Sequence, residues 1–65
     1  MKGYLVKFFG RADNTAFCDS LEEAVSIRNM VYGGGVIYVA HTEKSGYNTF
    51  VIEDYAIRKA DGTLL

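Results

Sequence analysis

The sequence predicts an α+β domain in the order β-α-β-β, with one helix packed on one face of a three- to four-stranded, mainly antiparallel sheet. Three observations predict it. Residues 4–9, 36–41 and 47–52 are short runs rich in β-branched and aromatic side chains, which is strand chemistry. A helix-start signature at Ser20 opens the one stretch with helical periodicity. Three glycines, Gly33 to Gly35, then part that helix from the second strand. With 65 residues the chain forms a single domain, 1–65.

The first strand is Tyr4-Leu5-Val6-Lys7-Phe8-Phe9, followed by a polar loop from Gly10 to Thr15. Phe17 adds an apolar contact or lengthens a hairpin return. Ser20-Leu21-Glu22-Glu23 has the S-x-x-E form in which hydroxyl and carboxylate satisfy the first orphan amides of a helix. Asp19, Glu22 and Glu23 also complement the positive end of the helix dipole. The helix is expected to reach about Tyr32, with Gly33 supplying the left-handed residue that ends it. Leu21, Ala24, Ile27, Val31 and Tyr32 share its apolar side. The glycine run follows a helix and precedes a strand, the reverse of a phosphate-cradling loop. Thr42 to Gly46 reads as a hairpin loop between the second and third strands. Glu53-Asp54 reads as a bulge or bend, and Asp61-Gly62 as a turn before Leu64 and Leu65.

Composition narrows the functional classes. Net charge is −1, with 49% hydrophobic and 23% charged residues, values of an ordinary globular domain without a basic footprint for phosphate binding. One cysteine and one histidine are too few for a structural zinc site, and Cys18 has no partner in the chain. The expectation is therefore no metal and no cofactor. A lone cysteine fits a cytoplasmic setting, and no apolar run is long enough to span a bilayer. Cys18 and His41 are a nucleophile pair only if the fold brings them together. Arg11-Ala12-Asp13 resembles an adhesion tripeptide by chance. Nothing else suggests catalysis, and the expectation is a protein without enzymatic activity.

The strongest functional clue is an aromatic surplus. Five tyrosines and four phenylalanines exceed what one small core absorbs, and tyrosine is a frequent anchor where proteins meet. Strand alternation assigns the rings to faces. Tyr4, Val6, Phe8, Ile37, Val39, Phe50 and Ile52 suit the core. Leu5, Lys7, Phe9, Tyr38, Ala40, Tyr47, Thr49 and Val51 fall on the face away from the helix. That face is either a binding surface or is covered by the C-terminal segment with Tyr55, Ile57, Leu64 and Leu65. The candidate contact residues are Phe9, Tyr38, Tyr47, Thr49, Val51 and Lys7. Arg28 joins them: it lies near the middle of the helix's apolar stripe, where either its stem packs while the guanidinium snorkels to the sheet edge or pairs with an acid such as Glu53 or Asp54, or it anchors an anionic group on a partner.

The layout of strand, Ser-Leu-Glu-Glu-Ala helix, glycine turn and hairpin over residues 4 to 52 resembles small phage-encoded inhibitors of host machinery. Examples are the RNA polymerase inhibitor of phage T7 and some anti-CRISPR proteins. The resemblance implies a binding protein that blocks a surface on a bacterial complex. Self-association through the same face is a further expectation. The alternative is a single-stranded nucleic-acid binder that stacks bases on Phe9, Tyr38 and Tyr47, with Lys7, Lys44, Arg58 and Lys59 near the phosphates.

Overall fold

The chain runs β1 (Lys2–Phe8), β2 (Thr15–Cys18), α1 (Leu21–Met30), β3 (Gly35–Ser45) and β4 (Asn48–Ala56). The structure, a computed structural model, describes residues 1–10, 14–31 and 33–65. Arg11-Ala12-Asp13 and Tyr32, the expected end of the helix, lie outside the described residues. The strands form one antiparallel sheet in the order β2-β1-β3-β4, with the helix on one face. The α+β class is as the sequence predicts. The hairpin return at Phe17 is a full edge strand, making the order β-β-α-β-β.

Local chemistry accounts for the helix ends. Ser20 is extended (φ −130°, ψ 151°) and its hydroxyl accepts from the Glu23 amide at 3.2 Å, forming the hydroxyl half of the capping box. The helix stops at Met30 because Val31 is already extended and turns inward to the core. Gly33 (φ 91°) and Gly34 (φ 70°) hold the left-handed conformations that reverse the chain, and the Gly34 amide donates to the Val31 carbonyl.

The largest departure from the sequence reading is at the β3–β4 hairpin. The loop expected over Thr42 to Gly46 is strand as far as Ser45, and the turn is only Gly46-Tyr47. Gly46 has φ 64°, while Tyr47 does not have positive φ, the pattern of a type II′ turn. Such turns match strand twist and allow pairing to continue to Ser45 and Asn48.

The Glu53-Asp54 irregularity is a β-bulge. Val39 pairs with Tyr55 and Ala40 with Glu53, leaving Asp54 as the extra residue. Residues opposite one another share a face, so the bulge inverts the alternation of β4. Val51 and Glu53 face away from the helix, as Thr42 and Ala40 do. Tyr55 lies on the helix side with Val39, and Ile57 packs against the core.

That core consists of Val6, Phe8, Cys18, Ala24 and Ile37, flanked by Leu21, Val25, Ile27 and Leu65. The C-terminal segment joins it on the helix side. Ile57 donates to the Ile37 carbonyl at 2.9 Å and accepts from the Leu65 amide at 3.0 Å. The segment therefore does not cover the opposite face. A smaller cluster does so instead. Leu5 (6% exposed) and Ala40 (0%) are buried on that side, where Phe17 pairs beside Leu5 and its ring overlies Gly3.

Candidate functional site

Length decides what the helix can cover. Ten residues of helix span about 15 Å, whereas eleven residues of β3 span roughly 36 Å. Pairing with β1 ends at Lys2 and His41, with the Thr42 amide donating to the Met1 carbonyl just beyond. From there residues 42–52 project as a two-stranded arm.

The arm carries the protein's main exposed apolar surface. Five of the nine exposed large hydrophobics among the described residues lie between Tyr47 and Tyr55. Tyr47 at the tip is fully exposed, Phe50 is 50% exposed, and Val51, Ile52 and Tyr55 are also exposed. Phe50 and Ile52, expected in the core, lie on the helix side but beyond the helix's reach. Alternation gave their side of the sheet correctly and their burial wrongly. Phe50, Ile52 and Tyr55 are the residues that sequence reasoning missed as surface. Comparing helix length with the length of the apolar strands could have found them.

Charged groups secure the base of the arm. Lys7 Nζ lies 2.6 Å from Glu53 Oε1 and 5.7 Å from the centre of the Tyr38 ring, on the face away from the helix. The bond to Glu53 and its charge raise the Lys7 pKa above the ordinary lysine value. On the helix side His41 Nδ1 lies 2.9 Å from Asp54 Oδ2, and Nε2 is 3.7 Å from Glu43. The hydrogen bond to Asp54 raises the His41 pKa above 6.5. The bulge thus presents Asp54 to His41 and Glu53 to Lys7, one carboxylate on each face.

The sequence-predicted contact residues do not form one patch. Phe9 lies beyond β1, beside the start of β3, while Tyr47 sits at the far end of that strand, about 33 Å away by strand rise. Tyr38 is half-buried opposite Leu5, so its ring helps to cover the sheet. Lys7 is engaged by Glu53. Thr49 and Val51 are exposed on the arm's face away from the helix. Arg28 is bonded elsewhere: its guanidinium donates to the main-chain oxygen of Leu65 and to Asn29 Oδ1, rather than to Glu53 or Asp54. Of the seven, Tyr47, Thr49 and Val51 come together, all on the hairpin.

Cys18 and His41 are not brought together. Cys18 is buried in the core, where burial first and the charges of Glu23 and Asp19 second raise its thiol pKa. His41 is held by Asp54 on another strand. Among the described residues no cluster of three His, Cys, Asp or Glu side chains could hold a metal, and no helix is long and apolar enough to cross a membrane. A depression of about 370 Å³ lies open to solvent along Ser20, Glu22, Glu23, Ser26 and Ile27 of the helix. Comparison of the chain with protein-family models, curated proteins and solved structures finds no match.

Proposed function

We propose that this chain is a non-enzymatic protein-binding module that engages another protein through the β3–β4 arm, with edge strand β4 accepting a strand of the bound molecule. The observation that carries the reading is the gathering of Tyr47, Phe50, Val51 and Ile52 on the projecting arm, with Tyr55 exposed further along the same uncovered edge strand. A long exposed edge with apolar side chains is a template for strand addition. The arm replaces the flat aromatic face as the binding element. In the inhibitor or regulator role that the architecture resembles, the module acts by occupying a surface on a bacterial complex. Stacking of single-stranded nucleic acid is the weaker reading, because Phe9 and Tyr47 lie at opposite ends of β3 and Glu53 engages Lys7.

The test is affinity capture from nuclease-treated bacterial lysate, comparing wild type with a Phe50→Ser, Ile52→Ser variant and with Tyr38→Ala. A captured protein should be identified and rebound in purified form. Binding should fall at least about tenfold in the arm variant and persist in Tyr38→Ala. Binding that survives the arm substitutions, or that disappears with nuclease, would overturn the proposal.

A further inference from the structure

The exposed residues of the arm have an internal symmetry. From Tyr47 to Tyr55 the sequence is Tyr-Asn-Thr-Phe-Val-Ile-Glu-Asp-Tyr, which reads apolar, polar, polar, three apolar, polar, polar, apolar in either direction. Val51 is its centre. Tyr47 mirrors Tyr55, Phe50 mirrors Ile52, and Thr49 mirrors Glu53. The five exposed large hydrophobics of this segment are the apolar positions of that palindrome. An antiparallel pair of identical strands related by a two-fold axis places each residue opposite its mirror. We propose that β4 pairs antiparallel with β4 of a second copy of this chain, with the two-fold axis at Val51. This rests on the reading of the arm as a protein-binding edge and names its partner.

The hydrogen-bond phase of the hairpin agrees. A two-residue turn makes Ser45 and Asn48 the closing hydrogen-bonded pair, so Phe50 and Ile52 bond inward to Glu43 and His41. The main-chain groups of Thr49, Val51 and Glu53 then point outward from the sheet edge. With the axis at Val51 these outward residues meet one another: Val51 meets its own copy, and Thr49 meets the second copy's Glu53. Phe50 and Ile52 fall in the closer, non-hydrogen-bonded positions, with their side chains together on the helix side.

Charge and edge chemistry point the same way. Lys44 stands opposite Thr49 on the face away from the helix, in line with the Glu53 that the second copy places beside Thr49, so that this carboxylate lies between Lys44 and the Lys7 of its own chain. From Asn48 to Ile52 the edge carries no charge and no proline, so its protections, the bulge and the acids Glu53 and Asp54, lie at one end of β4. The bulge at Asp54 limits regular pairing to residues 49–53, symmetric about the axis. Such an interface is at the small end for specific complexes, and a dissociation constant on the order of 10–100 μM is expected.

Sedimentation equilibrium from about 10 μM to 1 mM tests the association. The average mass should rise from 7.2 kDa toward twice that value. Val51→Lys, which sets two like charges at the axis on a side chain already exposed in the monomer, should remain monomeric while its circular dichroism stays that of wild type. Register is tested by mixing Thr49→Cys with Glu53→Cys under mild oxidation. The mixture should form a disulfide-linked heterodimer, with little linkage in either variant alone. Wild-type protein that stays monomeric throughout would overturn the dimer, as would a dimer that Val51→Lys leaves intact or one that links Thr49→Cys to itself. If wild type is monomeric but Val51→Lys still abolishes capture of a lysate protein, only self-pairing fails. If neither self-pairing nor arm-dependent capture occurs, the binding-module reading fails with it.

Discussion

Replacing Gly3 with alanine sets two effects of opposite sign against each other. Glycine to alanine at an ordinary backbone position stabilises by about 0.4–1 kcal/mol, because the unfolded chain loses freedom. Gly3 does not have positive φ, so that gain applies. A Cβ there, however, would lie 2.6 Å from the Cys18 carbonyl oxygen and 2.6 and 2.9 Å from Cζ and Cε1 of the Phe17 ring. The ring can swing away only by uncovering the sheet beside Leu5, and the carbonyl can move only with β2. Overpacking of this kind costs about 1–3 kcal/mol, so the net expectation is a loss of roughly 1–2 kcal/mol. A 65-residue domain holds only about 3–10 kcal/mol in total. Thermal or urea unfolding should therefore show a fall in Tm of roughly 5–15 °C. The Phe17 ring resonances should shift with it. A Gly3→Ala protein as stable as wild type, or more so, would refute the claim that Phe17 uses the space above Gly3 to close this face.

Two further outcomes follow from local chemistry. His41 is the sole histidine, and its raised pKa means that the Asp54 pairing stabilises the fold fully below about pH 6.5 and is lost as pH rises through the folded-state value. Stability should thus decline between about pH 6 and 8, and Asp54→Asn should flatten that slope. An NMR titration placing His41 at or below 6.5 would refute the pairing. Ser20→Ala removes the cap on the Glu23 amide and should cost about 1 kcal/mol in urea unfolding, whereas Ser20→Asp should retain most of it. Equal losses in both would show that the cap bond is not the cause.

The parts of the fold legible in the sequence are those set by contacts near in the chain. Ser20 marks the helix start, Gly33 its reversal, and alternation puts Tyr4, Val6 and Ile37 on one side of the sheet. Glu53-Asp54 stood out because it breaks that alternation, and it is the bulge. β2 was harder to read, since Thr15-Ala16-Phe17-Cys18 is four residues long and gains its strand character from pairing with β1. Thr42 to Ser45 resembles a loop because polar residues on both faces are what a strand outside the body requires. The site was legible only in part. Alternation reports which side a ring occupies, but burial depends on how far the helix extends. Tyr38 and Phe50 therefore exchanged roles, the first covering the sheet and the second left on the arm.

The single extra residue at Asp54 has a consequence for how the chain can change in length. Regular pairing of Asp54 with Val39 would turn Tyr55 and Ile57 to the opposite side of the sheet and take Ile57 from the core. Deleting Asp54 would leave Tyr55 opposite Val39 and remove only the carboxylate that holds His41. Adding or removing two residues on each strand of the hairpin would likewise preserve every side-chain direction below the bulge. Only the reach of the arm would alter, by about 7 Å per step. Paired insertions in the arm therefore keep its two faces when made in even steps, and loss of the extra residue at its base leaves the side chains of the body where they are. One body can carry hairpins of several lengths.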